Sequence, residues 1–558
     1  MSRIAGLGLA LALGACAHQG GDAIAPRAAT SSEFGNYLSA RFAASQHNLK
    51  DAATYYRASL AADPTNPQLL ALSFFFTTSA GEIDTAARLA DRVVAAMPDD
   101  RAGRLTLAVV ALKRHDFAGA RKQVGLSAKG PFTSLTVALL DAWAAAGMGD
   151  KAAAIADLGA LRAQGGADAL SMFHLALLAD YVGDDKIADA SYRTVLAAGG
   201  TPRVIDAFGR FLERAGRKDE ATELYTKYAA DGGLKQIALA GLARLKAGKK
   251  PDALVARPED GAAEALFGIA ASLTDQSSVD VSILYLRLAL YLRPDLDLGA
   301  VLLADRFESL QKYEDAIAVY GTIEKSSPYY RLAAVEVALD EARLGHNDAA
   351  IARLKALTAA NPGDAEAWTA LGDTYRSTSK FTEAAAAYDH AVDLRSEIKA
   401  SDWPLYFARA VAEQGTQNWS AAEVDLKKAL QLSPNEPTLL NYLGYTWVDQ
   451  NRNIPEALAM LEKAHSLRPG DGYIADSVGW AYYKLGRFAE AAKALQDAVE
   501  LVRGDPTIND HLGDAYWRVG RRRDAQFQWN HALAFGAADA DKAVIEKKLK
   551  DGLGDTPN

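Results

Sequence analysis

One pattern recurs at close to 34 residues along the C-terminal part of this 558-residue chain. In its cleanest copy Trp368 is followed by Leu371, Gly372, Tyr375, Ala384, Tyr388 and Ala391, at offsets of 3, 4, 7, 16, 20 and 23. Downstream the register continues through Ala422, Leu426, Ala429 and Pro434, then through Gly444, Trp447, Ala457, Leu461, Ala464 and Pro469 with one extra residue in the turn. Gly479, Tyr482, Gly486, Ala491, Leu495 and Ala498 mark a further copy, and Leu512, Gly513, Tyr516, Gly520, Ala525, Trp529 and Ala532 the last. A fixed period of this length means stacked units, none of which can bury its apolar face alone. Chain length therefore says little about domain count.

The residue types at this spacing resemble the tetratricopeptide repeat (TPR), a helix-turn-helix unit. The resemblance implies an all-α, TPR-type solenoid wound as a right-handed superhelix. Upstream copies are more degenerate but keep their punctuation, as at Ala350 to Pro362, Ala316 to Pro328, and Gly209 to Tyr225, giving about fourteen units in all. Small residues such as Gly372, Ala384 and Ala391 belong where two helices cross closely. Trp368, Tyr375 and Tyr388 are expected to fill the wedge between neighbours. Pro328, Pro362, Pro434 and Pro469 should end one unit and open the next, because proline cannot continue a helix interior. The expected organisation is a degenerate array over 33–228, an out-of-phase hinge over 229–262, a C-terminal array over 263–536, and a capping helix and tail over 537–558. In that cap Val544, Ile545 and Leu549 share one face, with Lys542, Glu546, Lys547, Lys548 and Lys550 opposite.

The first residues carry an address. Arg3 precedes an apolar run from Ile4 to Leu13, and Leu13-Gly14-Ala15-Cys16 follows. Such a run is a secretory signal, too short for a hydrocarbon core that needs about 20 residues. Leu-Gly-Ala-Cys resembles the bacterial lipobox, and Cys16 is the only cysteine of the chain. The resemblance implies cleavage after residue 15, acylation of Cys16, and, with Ala17 rather than Asp following, residence at the outer membrane facing the periplasm. Residues 16–32 then read as a flexible tether of small and polar residues.

Catalytic chemistry is not written in the chain. There is no HExxH, no GxxxxGK[ST] and no GxSxG, and no two of the nine histidines stand four apart on one helix face. Neither an enzyme, a cofactor, a metal site nor a small-molecule substrate is expected. A net charge of −9 argues against nucleic acid, which needs a basic face.

In TPR proteins the first helix of each unit lines the concave face. Carried onto the last three units, that rule marks Asn441, Tyr445, Asp476, Trp480, Tyr483, Lys484, Asp510, Asp514, Trp517 and Arg518 as a protein-binding groove. Asn441, Asp476 and Asp510 occupy the position where peptide-carboxylate clamps differ, so no such clamp is expected; an aromatic stripe beside acids remains. Tyr and Trp with polar neighbours are frequent interface anchors, but they equally suit packing against the adjacent unit.

The runs Leu440–Tyr445, Asp476–Tyr483 and His511–Trp517 look like the bacterial outer-membrane TPR lipoproteins. That likeness implies protein partners and a membrane reached through a lipid anchor. Some members tether a periplasmic C-terminal processing protease and substrates such as cell-wall hydrolases; others are assembly scaffolds for polysaccharide export or outer-membrane proteins. A cell-wall enzyme using the array as a platform is the third reading.

Overall fold

The computed structural model describes residues 32–128, 130–163, 169–229 and 235–554. The signal sequence, Cys16 and the tether up to residue 31 lie outside the described residues. Thirty α-helices and no strand occur among the described residues, arranged as fourteen helical pairs plus the single helices Lys235–Lys246 and Asp539–Asp551. Two compact units are present, one ending at Arg353 and the other beginning at Leu354.

The repeat spacing is explained by one contact. In the C-terminal unit a Cβ on Gly372 would meet the Tyr388 ring at 2.6 Å, one on Gly479 the Leu495 side chain at 2.5 Å, and one on Gly513 the Trp529 indole at 2.5 Å. Each glycine sits on the first helix of its pair and faces the residue sixteen positions on. Gly444 faces Leu461 instead, one position further, as the extra residue in that turn requires. Asn451 and Asn453 in that turn are both left-handed, at φ 51° and 46°, a conformation asparagine tolerates. Gly209 and Tyr225 repeat the arrangement in the N-terminal unit. Helices end at Ala360, Leu432 and Leu467, each two residues before Pro362, Pro434 or Pro469.

One expected core residue lies elsewhere. Trp368 is only half-buried; its Nε1 donates to the Pro362 carbonyl at 3.0 Å and its ring stacks on His390 at 4.2 Å. It clasps the preceding turn, while Tyr375 and Tyr388 do fill the core.

The N-terminal unit folds back upon itself. The pair Pro258–Ser272 and Val279–Leu292 lies across the first helices of four earlier pairs: Pro67–Ser79, Arg101–Lys113, Pro131–Gly147 and Ala169–Val182. Gly261 abuts the fully buried Trp143 indole, where a Cβ would come within 2.3 Å, and Gly268 abuts Leu170. Polar contacts rim the seat. Lys113 Nζ donates to the Leu292 carbonyl at 2.9 Å, Arg287 Nε to the Ser79 carbonyl at 3.3 Å, and the Tyr291 hydroxyl to Asp84 at 2.8 Å. Beneath it Glu264, almost fully buried, takes Arg203 on one side and Arg293 at 3.1 Å on the other, so its charge is matched where water cannot reach.

The stretch 229–262, expected as a hinge, contains the helix Lys235–Lys246. Arg244 pins that helix to Glu213 at 2.6 Å, and Gly241 rests on the Tyr225 ring. Beyond it Leu254 and Val255 are buried, and the Leu254 carbonyl accepts from Arg293 at 3.1 Å.

In the C-terminal unit Glu413 has a buried Oε2 without a hydrogen-bond partner. Burial first, then the nearby Asp425 and Asp389, push its pKa up to about 7 against the pull of Arg409. A carboxyl raised in the folded state stabilises fully below its ordinary value near 4.5, and that contribution is lost as pH rises through about 7. Glu413→Gln should therefore raise stability by about 1–2 kcal/mol near pH 8, with the two proteins converging by about pH 4.5. Thermal unfolding across that range checks it; a gap independent of pH would refute the assignment.

Candidate protein-binding groove

The ten groove residues come from three consecutive first helices, Pro437–Asp449, Gly472–Lys484 and Pro506–Arg518. Proline or glycine at the first position and Asp471 and Asp505 as N-caps fix where each begins, and hence which side chains share a face.

Asp476, Trp480 and Tyr483 form one cluster around a residue that the register did not mark. His511 Nδ1 lies 2.9 Å from Asp476 Oδ1, and the Trp480 ring is stacked between His511 at 4.0 Å and Tyr483 at 4.7 Å. Burial lowers the His511 pKa, but Asp476, Asp510 and Asp514 outweigh it, so the imidazole is held above its ordinary value. A raised histidine stabilises below its ordinary pKa, and that support is lost as pH climbs past the raised one. His511 stands one position beyond Asp510, the repeat equivalent of Asp476, so the register alone does not single it out.

The last unit is covered by the chain's own C-terminal segment. The helix Asp539–Asp551 brings Lys548 Nζ to 2.7 Å from Asp510 and 2.9 Å from Asp514. Lys548 was expected on the outward polar face; it points inward because two carboxylates await it there. Burial opposes its charge, yet Asp514 and Asp510 raise its pKa overall. With two acids to one ammonium, burial still holds the deeper carboxyl, Asp514, above the usual range, while its Oδ1 also accepts from Trp529 Nε1 at 2.9 Å. Gly552, left-handed at φ 71°, presses on the Trp517 ring, which leaves no room there for a Cβ. Arg518 donates to the Gly554 carbonyl at 2.5 Å and to the Tyr483 hydroxyl at 3.2 Å. Of the expected cap face, Ile545 is buried, Leu549 half-buried and Val544 exposed.

What stays open is the upstream end. Asn441, Tyr445, Trp480 and Lys484 are half-buried, and Asp449 is exposed beside them. The Asn441 Oδ1 is buried without a hydrogen-bond partner. Burial raises the Tyr445 phenol, helped by Asp476 and Asp449, so it remains a neutral donor. Burial also lowers Lys484, whose ammonium sits 5.2 Å from the Trp480 ring centre. Among the described residues no group of three or more His, Cys, Asp or Glu is placed to hold a metal ion, and no helix is long and apolar enough to cross a membrane.

The tetratricopeptide repeat family profile fits residues 79–134, 335–397 and 449–506. A stretch of 92 residues is 34% identical to the TPR repeat-containing protein PA4667 of Pseudomonas aeruginosa, covering 16% of either chain. Another of 121 residues is 31% identical to the cytochrome c-type biogenesis protein CycH of Rhizobium meliloti, covering 22% of this chain and 31% of that protein. Less than a third of either relative's length is thus spanned. Among solved structures, the APC/C hetero-tetramer Cut9-Hcn1 aligns over 94% of this chain and 97% of its own at 16% identity and a TM-score of 0.38. MamA aligns over 30% and 95% at 24% identity and a TM-score of 0.28.

Proposed function

We propose that this tetratricopeptide-repeat chain is a non-catalytic scaffold, anchored through acylated Cys16 to the outer membrane, that tethers a periplasmic C-terminal processing protease and its substrates. TPR proteins bind protein partners, and one contrast supports the placement of the binding surface. The N-terminal unit fills the space beside its first helices with its own pair Pro258–Leu292, and the C-terminal segment covers Asp510 to Arg518. Tyr445, Trp480 and Lys484 stay half-buried beside the exposed Asp449, next to the buried Asn441 acceptor that lacks a hydrogen-bond partner. Tethering works by raising the effective concentration of one partner near the other, without any reactive group of the scaffold's own.

The second reading is an assembly scaffold serving polysaccharide export or outer-membrane proteins. In-cell cross-linking and affinity capture separate the two. The parent should retain a processing protease or cell-wall hydrolase, and Tyr445→Ala with Lys484→Glu should lose it while circular dichroism stays unchanged. Export or assembly components in its place would favour the second reading. A catch indifferent to the substitutions would move the binding surface elsewhere.

A further inference from the structure

The first helix, Glu33–Ser45, is amphipathic in an unusual direction. One side packs inward: Asn36, Ala40 and Ala43 are buried against the helix Leu49–Ala62, and Tyr37 meets Tyr56 edge-on at 6.3 Å. Its other side carries Phe34, Leu38 and Phe42, spaced one helical turn apart and 72%, 51% and 70% exposed. The two phenylalanines are the most exposed large apolar side chains among the described residues. Arg41, also exposed, falls within the same stripe. Single exposed apolar residues need no explanation, but a contiguous stripe on one helix face marks a surface that meets something.

We propose that this stripe lies against the bilayer interface, with Phe34, Leu38 and Phe42 among the lipid headgroups and upper acyl chains and Arg41 on anionic phosphates. The proposal rests on the lipid-anchor reading. Its argument is reach: Phe34 follows Cys16 by eighteen residues, which span at most about 65 Å even fully extended. An acylated Cys16 therefore keeps this helix within that reach of the membrane, so even a small apolar patch with one cation is used at high effective concentration. Arg41 adds what a lipid surface rewards, a long stem that lies along apolar surface while its charge reaches the phosphates.

Because Cys16 is the chain's only cysteine and acylation blocks it, single thiol reporters can be placed cleanly. Phe34→Cys, Leu38→Cys and Phe42→Cys, with Glu223→Cys as an exposed polar control, are labelled with a solvatochromic fluorophore. The acylated full chain is reconstituted into vesicles of phosphatidylethanolamine and phosphatidylglycerol, with and without doxyl-labelled lipid. Labels at 34, 38 and 42 should shift to the blue and be quenched by the doxyl group, and the label at 223 should do neither. A blue shift without lipid quenching would mean that protein, a second copy or another part of this chain, covers the stripe, and would overturn the proposal. Water-like emission at all three positions, with the acyl mass confirmed on Cys16, would overturn it while leaving the anchor intact. Absence of that mass would overturn the anchor reading and the proposal together.

Discussion

Trp143→Ala should cost the N-terminal unit about 3–5 kcal/mol, the range for emptying a fully buried aromatic site. Two further losses come with it. The indole Nε1 donates to His174 Nδ1 at 3.1 Å, and burial holds that histidine neutral, its pKa lowered to about 3, so truncation strands a buried acceptor. The indole is also the surface on which Gly261 is seated, so the returning pair loses its footing. Gly261→Ala attacks the same contact from the other side and should cost about 1–3 kcal/mol by overpacking. The double variant should fall well short of the sum, because removing the ring makes room for the methyl group. Denaturant unfolding followed by hydrogen exchange, read separately on residues before and after Arg353, measures this; additive losses would show that the two residues do not press on one another. Separate reading matters because a chain of two compact units need not unfold in one step.

Lys548→Ala should cost the C-terminal unit about 3 kcal/mol, because two largely buried carboxylates lose their cation. Asp510 and Asp514 would then repel one another beneath a helix left with its apolar contacts, Ile545 foremost, and its C-terminal contacts to Trp517 and Arg518. Hydrogen exchange over Asp539–Asp551 should rise, and Trp517, relieved of Gly552, should become accessible to aqueous quenchers. Adding Asp514→Asn should restore part of the loss by removing the charge left behind. A cost under about 0.5 kcal/mol, as for an ordinary surface lysine, would show the cluster to be incidental.

Much of this fold was legible from short-range spacing. Gly372 with Tyr388 and Gly513 with Trp529 are contacts within one helical pair, so the same sixteen-residue offset that marks the repeat also names the contact. Helix ends agreed with Pro362, Pro434 and Pro469 for a similarly local reason, whereas the helix before Pro328 ends eight residues earlier, at Tyr320. Trp368 misled because its indole turns back to the preceding loop, a choice of rotamer that spacing does not encode. Lys548 misled because a helical wheel sees only one helix; the two acids that draw the lysine inward stand 38 and 34 positions earlier. The groove residues fell between these cases. Register placed Asp476, Trp480 and Tyr483 together, but whether their faces are spent on each other depends on His511 in the next unit. The return of Pro258–Leu292 was the least legible feature, since its partners reach back as far as His47, 3.6 Å from Asp280, and no periodicity spans that distance.

That return changes how the N-terminal unit is made and lost. A linear stack of repeats can grow one unit at a time and fray from either end, each unit answering only to its neighbours. Here Trp143 waits for Gly261, and Ser79 for Arg287, so the inner side of the early helices stays uncovered until the chain has been produced through Leu292. Contacts of such long sequence separation slow folding and tie distant segments into one cooperative event. Fragments that stop at a repeat boundary before Pro258 would keep their helices yet present a wet apolar wall, making them targets for proteolysis and self-association.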